Sequence, residues 1–465
     1  MSNSVDHLLG PNPHKRPRHE LLAAYANGVG VVLPQIFAVP HLPASSVRSL
    51  ALRRFRALIA HAKATVPYYR DAFAHVDPAA IVDEQAVGAV PFLTKALLRA
   101  HHEQMISSEA APRAQLLERQ SSGSSGSPIK VVFDPVKEIE RRLQELRFLT
   151  AHGYKPWDLQ LIFDNPAHVP KDKMLPQKLG LLRRQMFPFL SNADDAVAEV
   201  NKIKPEILHG VLAGIRLLAI AIKKGRPLTY KPKLIISKGE LLDPGTRELI
   251  ESAFGTRLVD YYATEETGII AWECPSRAGY HVDQDLCLLE IVDDDGRPLP
   301  HGTRGEICLT NLYCKTMPII RYRVGDLGVL SPTPCPCGRG LPLLTGLHGR
   351  KLDLIFTPEG EVHDPFGVIA KIEEVAAVRM FRLTQDAIDH LDVKIQWDET
   401  LGPAEKAAAA REVESHLRQR VGQRIRIDIV EVPDFAQSLH RKFPLVKGLG
   451  LSADEISRRG YRLRF

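Results

Sequence analysis

The sequence predicts an α/β protein in two units, and three observations carry that prediction. Between Leu159 and Tyr261 short apolar runs alternate with amphipathic segments, the pattern of a helix-covered, mostly parallel sheet. Between residues 280 and 330 the pattern changes to closely spaced strand-like runs parted by turns such as Asp295-Gly296, which reads as an antiparallel, barrel-like subdomain. Beyond Gly349-Arg350 two strands flanking an Ala-rich helix read as a small α+β unit. The expected division is residues 1–348, with 1–20 a disordered leader, and residues 349–465.

Each element has a local reason. Leu50, Leu52, Phe55, Leu58, Ile59 and Ala62 recur at helical spacing, so Ser45 to about Phe73 is an amphipathic helix, broken at Val66-Pro67 because the residue before proline is pushed out of the helical region. After Val90-Pro91, Thr94 is placed to cap a helix over Lys95 to His102. A helix is expected from Val136 to His152, and another over Asp194 to Lys202 with Asn192 as its cap. Leu159–Phe163, Glu206–His209, Lys233–Ser237 and Leu258–Tyr261 read as strands. Gly225 ends a helix over Leu212 to Lys224, while Asp243-Pro244 opens one that Gly255 closes. The antiparallel strands are Leu286–Val292, Gly305–Leu312, Ile319–Tyr322 and Leu327–Leu330. In the last unit Val393–Trp397 and Ile425–Val432 flank a helix over Pro403–Arg420.

Composition narrows the function. A formal charge of +6 over 465 residues suits anionic metabolites, and without a concentrated basic patch it argues against nucleic acid as a partner. The longest apolar stretch, Val211 to Ile222, is interrupted by Arg216 and too short to span a bilayer, so no membrane partner is expected. With no N-terminal apolar signal region and only six cysteines, a cytoplasmic protein without a disulfide framework is expected. A homodimer is compatible with all of this.

Five stretches carry chemistry. Ser121-Ser122-Gly123-Ser124-Ser125-Gly126-Ser127-Pro128 presents a dense set of N–H and O–H donors ahead of the apolar run Ile129–Phe133; by itself it is equally a flexible linker or a phosphate loop. It lacks the Lys-Ser/Thr pair of a P-loop. Tyr261-Tyr262-Ala263-Thr264-Glu265 follows a predicted strand, where an α/β sheet presents its ligand site; tyrosine can stack on a base, Thr264 can bond a phosphate and Glu265 can hold Mg²⁺. Asp326, ending Ile320-Arg321-Tyr322-Arg323-Val324-Gly325-Asp326, can accept both hydroxyls of a ribose. Gly349-Arg350-Lys351-Leu352-Asp353 lies at the expected boundary, and His440-Arg441-Lys442-Phe443 offers a mobile cation. Separately, Cys274, His281, Cys335 and Cys337 supply four ligands of the kind a structural Zn²⁺ wants, against the alternative of unligated cysteines, the reading given to Cys287, Cys308 and Cys314.

In order and spacing this set resembles the adenylate-forming (ANL) superfamily, most closely its phenylacetate–CoA ligase and CapK-like branch. The opening stretch is similar to S-S-G-T-T-G-x-P, Tyr261–Glu265 to Y-G-x-T/S-E, Tyr322–Asp326 to Y-R-T-G-D and Gly349–Asp353 to G-R-x-D-D, with Lys442 in the last motif. Val66-Pro67-Tyr68-Tyr69-Arg70 and Pro91-Phe92-Leu93-Thr94-Lys95 resemble N-terminal segments of the branch. The resemblance implies a large adenylate-forming domain with a small mobile C-terminal lid. It also implies ATP- and Mg²⁺-dependent activation of a carboxylic acid, aryl or otherwise hydrophobic, to acyl-AMP and pyrophosphate, followed by transfer to CoA. Ser121, Ser122, Gly123, Ser124, Ser125 and Gly126 would cradle the phosphates. Gly239 and Glu240 would border the adenine on which Tyr261 stacks, beside Tyr262. Thr264 would meet the α-phosphate, Glu265 the Mg²⁺, and Asp326 the ribose with Arg350 nearby. Lys442 would bridge carboxylate and α-phosphate. The acid pocket would lie among His168, His209, Gly210, Lys238, Tyr262 and Ala263. Some members of the branch also carry Cys/His sets like the one above.

The departures carry their own expectations. Tyr262 stands in place of a glycine and would crowd the acyl side; Leu352 replaces a polar hinge residue, putting domain rotation in doubt. Thr357–Val362 and Asn165–Pro170 depart from the segments usual after the hinge and in the aromatic, glycine-rich motif, so adenylation is better supported than transfer to CoA. The alternative acceptors are a carrier-protein thiol or an amine, and the alternative class is a non-catalytic nucleotide-binding homologue.

Overall fold

The computed structural model describes residues 18–463 except 121–128, 135–143, 165–174, 189–192, 351–352, 364, 434, 436–444, 452–454, 457–458 and 460. The Ser/Gly stretch, His168, Asn192, the Asn165–Pro170 departure, Leu352 and Lys442 therefore lie outside the described residues.

Helix α1 (Ala44–Thr65) buries Val47, Ala51, Phe55, Leu58, Ile59 and Ala62 along one stripe. It stops at Val66, whose φ of −108° and ψ of 114° are extended as the following proline demands, and a short helix over Pro67–Ala72 resumes. Thr94 caps α2 (Lys95–Ala100) by accepting the Leu97 N–H at 3.2 Å. A hairpin of β1 (Leu117–Gln120) and β2 (Lys130–Phe133) brackets the Ser/Gly stretch.

The centre is one eleven-stranded sheet. Its parallel half holds β3 (Gln160–Asp164), β4 (Arg184–Pro188), β5 (Ile207–Val211), β6 (Leu234–Lys238) and β7 (Leu258–Thr264), in the order 4-3-5-6-7. From β7 the pairing turns antiparallel through β8 (Gly268–Glu273), β9 (Tyr280–Val282), β10 (Cys287–Val292), β11 (Arg304–Asn311), β12 (Tyr322–Leu330) and β13 (Leu343–Arg350). The predicted change from parallel to antiparallel is present, with both halves joined edge to edge at β7 and β8. The join between β9 and β13 is narrow: only Leu343↔His281 and Leu344↔Tyr280 pair there.

Helices α3 (Ala193–Ile203), α4 (Leu212–Lys223) and α5 (Pro244–Phe254) cover one face of the parallel half, over Leu161, Phe163, Leu208, Ile235 and Leu258. Full burial of Ile215 or Ile250 on that face contributes roughly 1.5–3 kcal/mol each. The expected punctuation holds: Asp243 Oδ1 accepts the Thr246 N–H at 2.6 Å, and Gly255 ends α5 at φ +59°. On the opposite face Phe148, Leu149, Val39 and Val47 pack over Ile207, Ile236, Val259 and Tyr261. Arg147 anchors this layer. It is 3% exposed and donates to Asp283 at 2.7 Å, to Asp285 at 2.8 and 2.9 Å and to the Ile36 carbonyl.

The C-terminal part begins with β14 (Ile355–Phe356), β15 (Glu361–His363) and α6 (Pro365–Glu373). Strands β16 (Val378–Ala387), β17 (His390–Trp397) and β18 (Arg426–Glu431), helix α7 (Pro403–Val421) and β19 (Val446–Lys447) complete a four-stranded sheet in the order 18-17-16-19, and β20 (Arg462–Leu463) pairs with β15. Its apolar core includes Ala213 of α4, with Leu217 and Leu241 packed against it, so this part is seated on the helix-covered face of the large sheet. No helix among the described residues is long and apolar enough to cross a membrane.

Candidate active site

Neighbouring residues of a strand point to opposite faces, and the C-terminal end of β7 uses this. Tyr261 faces the layer of Phe148 and is 8% exposed. Its hydroxyl lies 3.2 Å from His209 Nε2 on β5, and its ring centroid 5.3 Å from that of Phe148. The tyrosine expected to stack on a base thus has its ring in the apolar layer. Around it stand Lys238, ending β6, and the Glu145–Arg184 ion pair at 3.0 Å. Burial works to raise the Glu145 pKa, but Arg184, then His209 and Lys238, hold it below the ordinary carboxylate value. The acid-pocket candidates His209 and Lys238 therefore share a polar setting. Gly210 on the other face is held by space, since a Cβ there would sit 3.0 Å from Phe163 Cβ. Ala263 is exposed at the strand end, and Gly239 turns the chain after β6 at φ +86°, followed by half-buried Glu240.

Tyr262 points the other way. A register irregularity between Tyr262 and Ala263 re-aims the strand there, and the phenol donates to Asp326 Oδ2 at 2.5 Å. Asp326 on β12 pairs in register with Arg350 on β13, whose Nε stands 3.8 Å from Oδ1. Burial pushes Asp353 up to about 6, against the pull of Arg350. Lys95, first residue of α2, lies in the same field: burial lowers its pKa, with Arg350 adding to the effect and Glu266 and Asp326 opposing it. Tyr322 donates to Glu266 Oε1 at 3.3 Å. Thr264 Oγ1 accepts the Thr267 N–H at 3.2 Å and lies 2.9 Å from Thr267 Oγ1, closing the turn between β7 and β8. Glu265 projects from that turn, its side chain 51% exposed and 3.8 Å from Arg119.

Three strands, the β7–β8 turn and one helix N-terminus thus bring together Tyr262, Thr264, Glu265, Asp326 and Arg350, all chosen from sequence, with Lys95 and Glu266, which were not. Lys95 stood in the quoted Pro91–Lys95 segment. The signal for it was a cation placed just inside a capped helix, and only the pairing of Leu93 with Arg321 and Arg323 across the chain makes it local to Asp326. The expectation that Tyr262 crowds the acyl side meets a different geometry, with the hydroxyl on Asp326.

A second cluster forms at the narrow join of the sheet. The ligand atoms of Cys274, His281, Cys335 and Cys337 lie within 4.8 Å of one another; His281 Nε2 is 3.1 Å from Cys337 Sγ, and Cys274 Sγ 3.5 Å from Cys335 Sγ. Four thiolates or imidazoles about 2.3 Å from one ion would be spaced by about 3.8 Å, so this donor set fits a tetrahedral metal. Cys287, Cys308 and Cys314 are buried away from it.

No protein-family model matches the sequence. Among characterised proteins it is 25% identical over 420 residues to the phenylacetate–coenzyme A ligase of Thermus thermophilus, covering 86% of this chain and 88% of that one. It is 26% identical over 413 residues to the ligase of the same name from Aromatoleum evansii, covering 83% and 90%. A 2-hydroxyisobutyryl-CoA ligase in its postadenylation state superposes with a TM-score of 0.74 at 20% identity, covering 91% of this chain and 93% of that one. This chain resembles the phenylacetate–CoA ligase branch of the adenylate-forming superfamily. The same ligase in its thioesterification state superposes less well, at a TM-score of 0.59, 21% identity and 86% and 88% coverage.

Proposed function

We propose that this chain is an AMP-forming acid–thiol ligase. It converts a carboxylic acid and Mg·ATP to acyl-AMP and pyrophosphate, then passes the acyl group to CoA. The observation that carries the reading is the meeting of Tyr262, Asp326, Arg350 and Lys95 beside the Thr264–Glu265 turn. A carboxylate with a fixed donor on one oxygen and a guanidinium beside the other suits a ribose diol. The nearby cations suit the phosphates.

In this reading Asp326 accepts the sugar hydroxyls and Arg350 flanks them. Thr264, already held by its own turn, aligns the α-phosphate. Glu265 is an exposed carboxylate able to reach a hydrated cation, and so fits Mg²⁺. Bound there, Mg²⁺ supplies charge neutralisation as one anion approaches another. Lys95 adds a cation from the N-terminal side, and Lys442 bridges the acid carboxylate and the α-phosphate. Ser121–Gly126 wrap the leaving phosphates. The acid enters beside His209, Lys238 and Ala263, with Gly239 and Glu240 at the adenine edge. The Cys274–His281–Cys335–Cys337 cluster holds Zn²⁺ in a structural role, because four protein ligands leave no open position.

Acid-dependent exchange of pyrophosphate into ATP, screened over a panel of aryl and aliphatic acids, tests the first half. It should collapse in Lys442→Ala; exchange that survives would remove the reading. Formation of an acyl-CoA thioester tests the second half, and its absence alongside robust exchange would move the acceptor to a carrier-protein thiol or an amine.

A further inference from the structure

Tyr262 fills a place that needs no hydroxyl. Its ring lies in an apolar cluster with Ile270, Ala271, Val282, Leu289 and Leu344, where phenylalanine would occupy the same volume. It is 9% exposed, and a hydroxyl buried that far requires a partner. That partner is a charged carboxylate rather than a backbone carbonyl, met at 2.5 Å. Hydrogen bonds of this kind are the short, strong class. Burial and the Asp326 charge both push the Tyr262 pKa well above its ordinary value, so the phenol stays protonated and keeps donating. Asp326 itself is fixed from the other side by its register with Arg350.

We propose that Tyr262 is a positioning and specificity-determining residue for the nucleotide sugar. Its hydroxyl holds the Asp326 carboxylate in one orientation and offers its own oxygen as an additional acceptor to the ribose diol. The inference rests on the reading of Asp326 as the ribose-binding residue. A carboxylate has about four lone-pair sites, and the phenol occupies one of them while bringing acceptor capacity of its own. A ribose approaching this edge meets a carboxylate–phenol pair instead of a lone carboxylate. The adjacent Tyr261-Tyr262 sequence thus divides its work between the two faces of the sheet.

The test is binding of Mg·ATP, Mg·2′-deoxy-ATP and Mg·3′-deoxy-ATP by calorimetry to the full chain and to Tyr262→Phe. Wild type should bind ATP about ten-fold more tightly than at least one deoxynucleotide, the size of one hydrogen bond to a charged pair. In Tyr262→Phe the ATP affinity should fall by several-fold while that deoxynucleotide is nearly unchanged, so the ratio narrows toward what Asp326 alone provides. A merely structural tyrosine would weaken all three nucleotides alike, and that result overturns the proposal, as does an unchanged ratio. Should Tyr262→Phe fail to fold, equal binding of all three nucleotides by wild type still overturns it. Failure of wild type to bind ATP at all removes the nucleotide reading itself, a different result from loss of sugar discrimination.

Discussion

Glu373, the last residue of α6, sets up a pH-dependent contact between the C-terminal part and the large sheet. Its carboxyl lies against the start of α5, so close that a Cβ on Gly245 would fall 2.7 Å from Oε2. Burial, then the Asp243 carboxyl facing it, push the Glu373 pKa up to about 9, with Arg216 on α4 and the Gly245 N–H pulling the other way. The seated form therefore holds a proton that an exposed glutamate releases near its ordinary value. The contact is at full strength below that value and is lost as pH rises toward about 9. Each pH unit in the window is worth up to about 1.4 kcal/mol. Because the side chain is partly exposed, we take about half, or roughly 1.4 kcal/mol between pH 6 and 8. For a chain of this size that is a shift of about 1.5 °C in the thermal transition. Melting curves of wild type and Glu373→Gln at intervals from pH 5.5 to 9 read it out. The wild-type transition should fall with pH relative to the glutamine variant, whose neutral amide cannot titrate. Parallel profiles would refute the argument.

Other perturbations have defined outcomes. Replacing Ser124 and Ser125 by Ala should slow pyrophosphate exchange while leaving the melting curve unchanged; unaltered exchange would return the stretch to a linker. Purified protein should carry about one equivalent of zinc, lost in Cys335→Ser/Cys337→Ser, and a value below about half an equivalent in wild type counts against the metal. Arg147→Met leaves Asp283 and Asp285 buried without their guanidinium and should lower unfolding free energy by about 3–5 kcal/mol in denaturant titrations. A loss under about 1 kcal/mol would show that the buried cluster matters little.

What could be read in the chain follows from where its signals are local. The break at Val66-Pro67 and the caps at Thr94, Asp243 and Gly255 are written in adjacent residues and stand where expected. Strands β5, β6 and β7 were visible as apolar runs because both faces of a parallel sheet are covered. Strands β4, β8, β9, β13 and β16 and helix α6 were among those missed, and the expected run Ile319–Tyr322 meets β12 only at Tyr322, the strand continuing through the run at Leu327. Antiparallel edges take short, mixed sequences whose identity comes from the partner; β9, with three residues, has no periodicity to show. Among the candidate residues, Asp326 and Arg350 come from two stretches picked out as motifs and stand paired, although Asp326 lies within β12 and not on the turn read from the sequence. The partner of Tyr262 was not legible, because strand alternation sets which face it takes but not that Asp326, from a distant strand, stands there. Lys95 was not picked out as a candidate because the charged groups acting on it come from three distant segments.

The narrow join between β9 and β13 has a mechanical consequence. Two residue pairs stitch the outer ribbon of β10 to β13 onto the rest of the sheet, and one of the four residues involved is His281. The Cys/His cluster sits on this crease and spans it, with Cys274 and His281 on one side and Cys335 and Cys337 in the loop that feeds the other. Whatever closes the cluster also rivets the crease. Asp326 and Arg350 ride on the ribbon beyond it, while Tyr262 stays on the inner side. The phenol–carboxylate bond and the rivet are therefore two fasteners on the same fold line, so loosening the distant one should loosen the Tyr262–Asp326 contact at the other.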